Sequence, residues 1–179
     1  MKILLHICCA TCAILPVRIM REANQSVTGF FYNPNIHPYT EFRKRIESVN
    51  DYAKASALEV FFNEEYGLED FLAQVAQDPA GRCSFCYETR LRTTAEFAAA
   101  NGFDAFSTSL LASPYQDHAV IRAFGQEFAE LFDISFLYQD FRMAWDKAHK
   151  TARDLDLHQQ MYCGCIYSEK DSFYPIKPN

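Results

Sequence analysis

Short apolar runs alternate with amphipathic stretches along this chain. Five runs rich in β-branched and aromatic residues, Lys2–Ile7, Val27–Tyr32, Leu58–Asn63, Ala105–Ser109 and Ile134–Tyr138, predict strands that occupy a sheet interior. Segments of helical period lie between them. Over Glu41–Ala57 the apolar residues Phe42, Ile46, Val49 and Ala53 share one face, and over Gln116–Phe132 Val120, Phe124, Phe128 and Leu131 do the same. Strands alternating with helices in this way predict an α/β fold with a mostly parallel, doubly wound sheet (Rossmann-like or HUP-like) and helices on both faces. No linker, repeat or low-complexity stretch interrupts the pattern, so residues 1–179 are expected to form a single domain. Ligands of such sheets bind beyond the carboxyl ends of the strands, so the residues that follow each strand are the ones to inspect.

Composition narrows the class. With 179 residues, 49% hydrophobic and 22% charged, the chain can bury a core without needing metals or disulfides to stay folded. Its apolar runs, such as Ile3–Leu5 and Val60–Phe62, are far shorter than the roughly 20 residues that cross a bilayer. Met1–Ile7 carries one positive charge and too few apolar residues for an export signal, so no membrane and a cytoplasmic location are expected. A net charge of -6 argues against coating nucleic acid by bulk electrostatics. Local basic groups still stand out: Arg43-Lys44-Arg45, then Arg82, Arg90 and Arg92, then Arg142, Lys147, Lys150 and Arg153.

The seven cysteines change the picture most, because they fall in three tight groups: Cys8, Cys9 and Cys12; Cys83 and Cys86; Cys163 and Cys165. Clustered thiols in a reducing compartment point to metal ligation or redox catalysis rather than to a disulfide scaffold. The first group follows the first strand, where a nucleotide-binding protein of this architecture carries a glycine-rich loop. Here the sequence is His6-Ile7-Cys8-Cys9-Ala10-Thr11-Cys12, and none of the six glycines forms a phosphate loop, so an ATP or dinucleotide site is unsupported. Cys83-Ser84-Phe85-Cys86 has the spacing of a zinc or iron–sulfur edge. Adjacent Cys8 and Cys9 converge on one centre only if the chain turns there. Cys8, Cys9, Cys83 and Cys86 are the expected ligands of a 4Fe-4S cluster, with Cys12, one helical turn on, facing an adjacent mononuclear metal or the substrate. In Cys163-Gly164-Cys165 the glycine lets the flanking residues approach within disulfide range, and a bond so strained is labile, which marks a redox-active dithiol; the competing reading is that Cys163 or Cys165 supplies a further metal ligand.

Other residues near the predicted site are weighed by type. Asn33, Asn35 and His37, in a loop fixed by Pro34 and Pro38, together with Tyr39, Arg43 and Arg82, are candidate substrate-binding residues. His6 and Asp117 are candidate proton donors, against the plainer readings of a core histidine and a helix cap.

The ordered set His6-Ile7-Cys8-Cys9-Ala10-Thr11-Cys12, Tyr32-Asn33-Pro34-Asn35-Ile36-His37-Pro38, Cys83-x-x-Cys86, Ser107–Gln116 with Leu110-Leu111 and Ser113-Pro114-Tyr115, and Tyr162-Cys163-Gly164-Cys165-Ile166-Tyr167-Ser168 resembles the cobalamin-independent epoxyqueuosine reductase family from end to end. The resemblance implies a two-electron reduction of the epoxide of epoxyqueuosine at the wobble position of tRNA, giving queuosine and water in the last step of that modification. It also implies an iron–sulfur centre, Cys163 and Cys165 as the redox pair, and an external electron donor. The competing class is a zinc-stabilised nucleic-acid-binding module without redox chemistry, which leaves adjacent Cys8 and Cys9 and the Cys163/Cys165 pair unexplained.

Overall fold

A computed structural model describes residues 1–174. Five parallel strands, β1 (Lys2–His6), β2 (Ser26–Phe31), β3 (Val60–Phe62), β4 (Ala105–Thr108) and β5 (Ser135–Phe136), form one sheet in the order β3-β2-β1-β4-β5. The expected doubly wound α/β fold is therefore present. β1 lies at the centre because both of its faces are covered: Ile3, Leu4 and Leu5 are wholly buried, as its unbroken apolar run requires. The register sets His6 of β1 beside Phe30 of β2 and Thr108 of β4.

The helices are α1 (Ala10–Glu22), α2 (Tyr39–Ser56), α3 (Leu68–Val75), α4 (Arg82–Ala100), α5 (His118–Leu131), α6 (Trp145–Asp154) and α7 (Ile166–Phe173). α1 packs with α2 and α6 on one face, while α4 packs with α5 across β1 and β4 on the other. The strand order reverses between β1 and β4, which opens a crevice at their carboxyl ends. Edge strands β3 and β5 are shorter than the sequence predicts, since each has a neighbour on one side only. Beyond them the chain keeps isolated bonds, Asn63 N–H to the Phe31 carbonyl at 2.8 Å and Leu137 N–H to the Phe106 carbonyl at 2.9 Å. No helix among the described residues is long and apolar enough to cross a membrane.

α5 approaches β5 closely at Gly125, where an added Cβ would lie 2.2 Å from Phe136 Cε1. Gly125→Ala gains helix propensity but forces that ring to move, so a net loss of about 1–3 kcal/mol is expected in urea denaturation. An unchanged midpoint would show that α5 and β5 are packed less tightly than described.

Candidate functional site: a thiol-lined cavity at the switch point

The chain turns where β1 ends. Cys9 is the N-cap of α1, with extended backbone, and its sulfur accepts the Cys12 N–H at 3.4 Å. That turn brings the adjacent thiols together, Cys8 Sγ to Cys9 Sγ at 3.9 Å, and Cys8, Cys9 and Cys12 place their sulfurs within 4.8 Å of one another, all buried. Ser109, the first residue past β4, closes the crevice from the other side: its hydroxyl accepts the Cys8 N–H at 3.0 Å and donates to Cys8 Sγ at 3.3 Å. Gln160 donates its amide to Cys9 Sγ at 3.0 Å.

Hydrogen bonds from Cys12 and Cys9 pull Cys8 well below the usual thiol range, and the bond to Cys8 pushes Cys12 well above it. Thiolates held 2.3 Å from a single tetrahedral ion lie roughly 3.8 Å apart, close to the Cys8–Cys9 separation. The donor set therefore fits a soft metal, whose charge would let all three sulfurs ionise.

His6 is wholly buried behind the triad, with Nδ1 2.9 Å from Thr108 Oγ1 and Nε2 3.1 Å from the Tyr32 carbonyl. Burial, then the Arg90 charge, lowers it to about 4. With both nitrogens engaged and the ring neutral, it orients the strand end rather than delivering a proton. Asp117 is a helix cap, accepting the N–H groups of Ala119 and Val120 at 3.0 and 3.1 Å.

The remaining four cysteines gather on the far side of the crevice. Cys83 and Cys86 lie on the first turn of α4, Cys83 exposed and Cys86 buried. Cys86 shares a small apolar cluster with Cys165, Phe71 and Val75, and burial there pushes its thiol up to about 12. Cys165 caps α7, its sulfur accepting the Ser168 N–H at 3.4 Å. Cys163 is exposed, with the Gln116 amide 3.5 Å from its sulfur. The structure contains no disulfide: all seven cysteines, Cys163 and Cys165 among them, are free. Among the described residues only Cys8, Cys9 and Cys12 converge as a close metal-binding set, and Cys83 and Cys86 stand outside it.

Arg45 holds the dithiol segment in place. Its side chain is 1% exposed and donates to the Cys163 carbonyl at 2.8 Å, the Tyr162 carbonyl at 3.1 Å and Glu41 at 2.7 Å. His158 lies 3.0 Å from the second Glu41 oxygen. The His37 N–H bonds the Gly164 carbonyl at 2.8 Å, and Tyr162 donates its hydroxyl to the His37 carbonyl. Gly164 fits because a Cβ there would press within 3.3 Å of Ile36 and 3.4 Å of Arg45 Nη1. The sequence reading of Arg45 as a surface or phosphate-binding charge is thus corrected: it is a buried structural cation.

Cys8 and Cys12 of the triad and Cys163 of the dithiol line one cavity of about 340 Å³, with Arg90, Gln116, Trp145, His149, Gln160 and Tyr162 in its wall. Arg90 is buried and bonds the Cys86 carbonyl at 3.0 Å. The proposed substrate-binding residues stand elsewhere. Asn33, Asn35 and His37 are buried; Asn33 donates to the Ile7 carbonyl at 2.9 Å, and His37 packs against Tyr66 and Phe71. Tyr39 is exposed against Tyr66, Arg43 pairs with Glu64 at 3.0 Å, and Arg82 pairs with Asp171 at 2.8 Å. Sequence reasoning missed the contacts of Gln160 with Cys9 and of His149 and Trp145 with the cavity. Ser109 was recoverable, because it follows its strand as Cys8 does.

Fold and site together define a doubly wound α/β protein with a thiol-lined centre at the switch point in place of a phosphate loop. The fold resembles that of a crystal structure described as a predicted subunit of a tRNA methyltransferase from Methanocaldococcus jannaschii, with a TM-score of 0.55 at 11% identity over 86% of this chain and 76% of that one. The sequence profile of "Epoxyqueuosine reductase QueH" matches residues 3–171. A relative of that name from Dehalococcoides mccartyi is 35% identical over 99% of this chain and 97% of its own length. Another, from Thermotoga maritima, is 32% identical over 93% and 89%. The chain belongs to the epoxyqueuosine reductase QueH family.

Two outcomes follow for the site's support. Arg45→Ala leaves Glu41 buried without its partner and is expected to cost about 3–5 kcal/mol in urea denaturation and to speed labelling of Cys165 by a thiol reagent; Glu41→Gln in the same chain should restore part of the stability. Labelling at the wild-type rate would show that the clamp does not hold the segment. Burial lowers His37 to about 4, the Pro34 backbone offsetting only part of the shift. The unfolded chain therefore binds the proton first, and the stability contributed by neutral His37 is present above about pH 6.5 and lost as pH falls toward 4. His37→Phe should flatten this acid limb of the stability profile, and an unaltered limb would contradict the assignment.

Proposed function

We propose that this chain reduces the epoxide of epoxyqueuosine in the anticodon wobble position of tRNA, giving queuosine and water without cobalamin. The observation that carries this reading is the shared cavity, lined by two of the three triad cysteines, Cys8 and Cys12, and by Cys163 of the dithiol. Removing the epoxide oxygen takes two electrons and two protons and leaves a carbon–carbon double bond and one water. Oxidation of the Cys163 and Cys165 thiols to one disulfide releases two electrons and two protons, so the step balances. An external reductant then cleaves that disulfide, and the exposure of Cys163 gives it access.

Cys8, Cys9 and Cys12, the thiols that converge, would hold a metal at the cavity, and a 4Fe-4S cluster on Cys8, Cys9, Cys83 and Cys86 would need the start of α4 to close on them from outside that set. Such a centre supplies an electron relay and a Lewis acid for the departing oxygen. Ser109 and Gln160 hold the sulfurs of Cys8 and Cys9 by hydrogen bonds, and Arg90 sets a cation beside Cys86. Arg45 fixes the Tyr162 and Cys163 carbonyls at the start of the redox turn, so that Cys163 stays at the cavity.

Iron, acid-labile sulfide and zinc in anaerobically purified protein test the reading, together with turnover on epoxyqueuosine tRNA. About four irons with matching sulfide are expected, and iron beyond the cluster would mark the second metal. Cys163→Ser should keep the iron and lose multiple turnover. Zinc without sulfide after anaerobic reconstitution, with no turnover, would replace the reductase by the zinc-stabilised binding module.

A further inference from the structure

The reductase reading requires an anticodon loop to be gripped at the cavity, and the arginines at this end of the sheet are already committed within the protein. Arg43 pairs with Glu47 and Glu64, Arg82 with Asp171 and Arg142 with Asp140, while Arg45 and Arg90 are buried on backbone carbonyls. Five of the ten basic residues singled out in the sequence are committed in this way, in a chain of net charge -6, while Lys147, Lys150 and Arg153 share α6 with Trp145.

Aromatic surface is present at the cavity rim. Tyr115 is 83% exposed at the cavity, an exposure that core packing does not explain. Its ring meets Trp145 edge to face, with centroids 6.0 Å apart at 80°, and Trp145 lies over His149 at 4.3 Å. Met161, 76% exposed, adds a further apolar side chain to the same wall. Both Tyr115 and Trp145 line the chamber that Cys8 and Cys163 reach, so a base resting on this rim lies beside the reacting sulfurs. The cavity, about 340 Å³, is at the small end of ligand sites and suits one everted nucleobase rather than a folded protein segment.

Resting on the reductase reading, we propose that Tyr115 and Trp145 form a base-stacking platform that holds the unstacked nucleotides of the anticodon loop by their faces, so that RNA affinity rests on stacking more than on phosphate charge. Bases splayed from a loop present π-faces that aromatic side chains take up without regard to charge. Pairing of these arginines with carboxylates lowers the positive charge they offer a polyanion, a setting in which stacking gains weight in affinity.

Trp145 is the chain's single tryptophan, so its fluorescence reports the platform directly. The experiment titrates the metal-loaded enzyme with a tRNA anticodon stem-loop, reading indole emission and filter binding at two salt concentrations. Quenching on binding is expected, with affinity falling less than about tenfold between 50 and 200 mM salt, whereas a six-phosphate basic track would lose several hundredfold. Tyr115→Ala should weaken binding by about 5- to 100-fold at unchanged iron content, and Tyr115→Phe, which keeps the ring, should restore it. Because Tyr115 is exposed, the variant is not expected to disturb folding. Affinity indifferent to Tyr115→Ala, or a steep salt dependence, overturns the platform even if wild-type turnover upholds the reductase. Unchanged RNA affinity with slowed reduction by a protein donor would also overturn it, assigning the rim to that protein. Failure of the reductase reading shows separately as absent turnover; RNA binding that still depends on Tyr115 would support the platform in that case, and no RNA binding would overturn it.

Discussion

A guanidinium buried to 1% exposure must have its donors satisfied, and the way Arg45 satisfies them shapes the carboxyl end of this protein. It rises from α2 to Glu41 on its own helix and to two carbonyls some 120 residues away in sequence, at Tyr162 and Cys163. Glu41 in turn meets His158. These contacts fold the segment after α6 back over the sheet end and set the Cys-Gly-Cys turn opposite the thiols that follow β1. A lysine could not make the same fork of contacts, since its ammonium is a point charge on a flexible stem. The clamp acts with the His37 N–H on the Gly164 carbonyl and the Cys165 cap of α7, which hold the other end of the turn.

The second constraint is the parallel register at the centre of the sheet. β1 and β4 end side by side, so Cys8 and Ser109 face each other across the switch-point crevice, and the sulfurs occupy the position that a phosphate loop takes in nucleotide-binding relatives of the fold. The N-cap geometry of Cys9 then converts two adjacent residues, which would diverge in a strand, into neighbours 3.9 Å apart. Three sulfurs within 4.8 Å of one another can all ionise only beside a positive charge, and that convergence is the physical basis for a metal at this end of the molecule.

The strands were legible because a sheet covered on both faces demands continuous apolar runs, and Ile3-Leu4-Leu5 is such a run. The edge strands were overextended because period and composition do not reveal which strands lack a second neighbour. Spacing identified the three thiol groups, but not which would meet, since convergence depends on the turn at Cys9 and on a fold-back fixed by Arg45. That arginine was unreadable for the same reason: its partners are distant in sequence, and its neighbours Arg43 and Lys44 make it look like one more surface charge. Asn33, Asn35 and His37 were marked by their loop, and the structure buries all three, Asn33 tying the end of β1 and the His37 backbone N–H holding Gly164. Tyr115 and Trp145 carry no spacing signal, because a cavity wall built from a turn and a helix has no period.

The account depends on electrons leaving the Cys163/Cys165 pair as the epoxide opens. The most direct measurement is a single turnover with pre-reduced enzyme and no external reductant, counting free thiols at these two cysteines by mass spectrometry against queuosine formed. One disulfide between Cys163 and Cys165 per queuosine is the predicted result. Queuosine formed in stoichiometric yield while both thiols remain free would contradict it and leave the pair a structural turn.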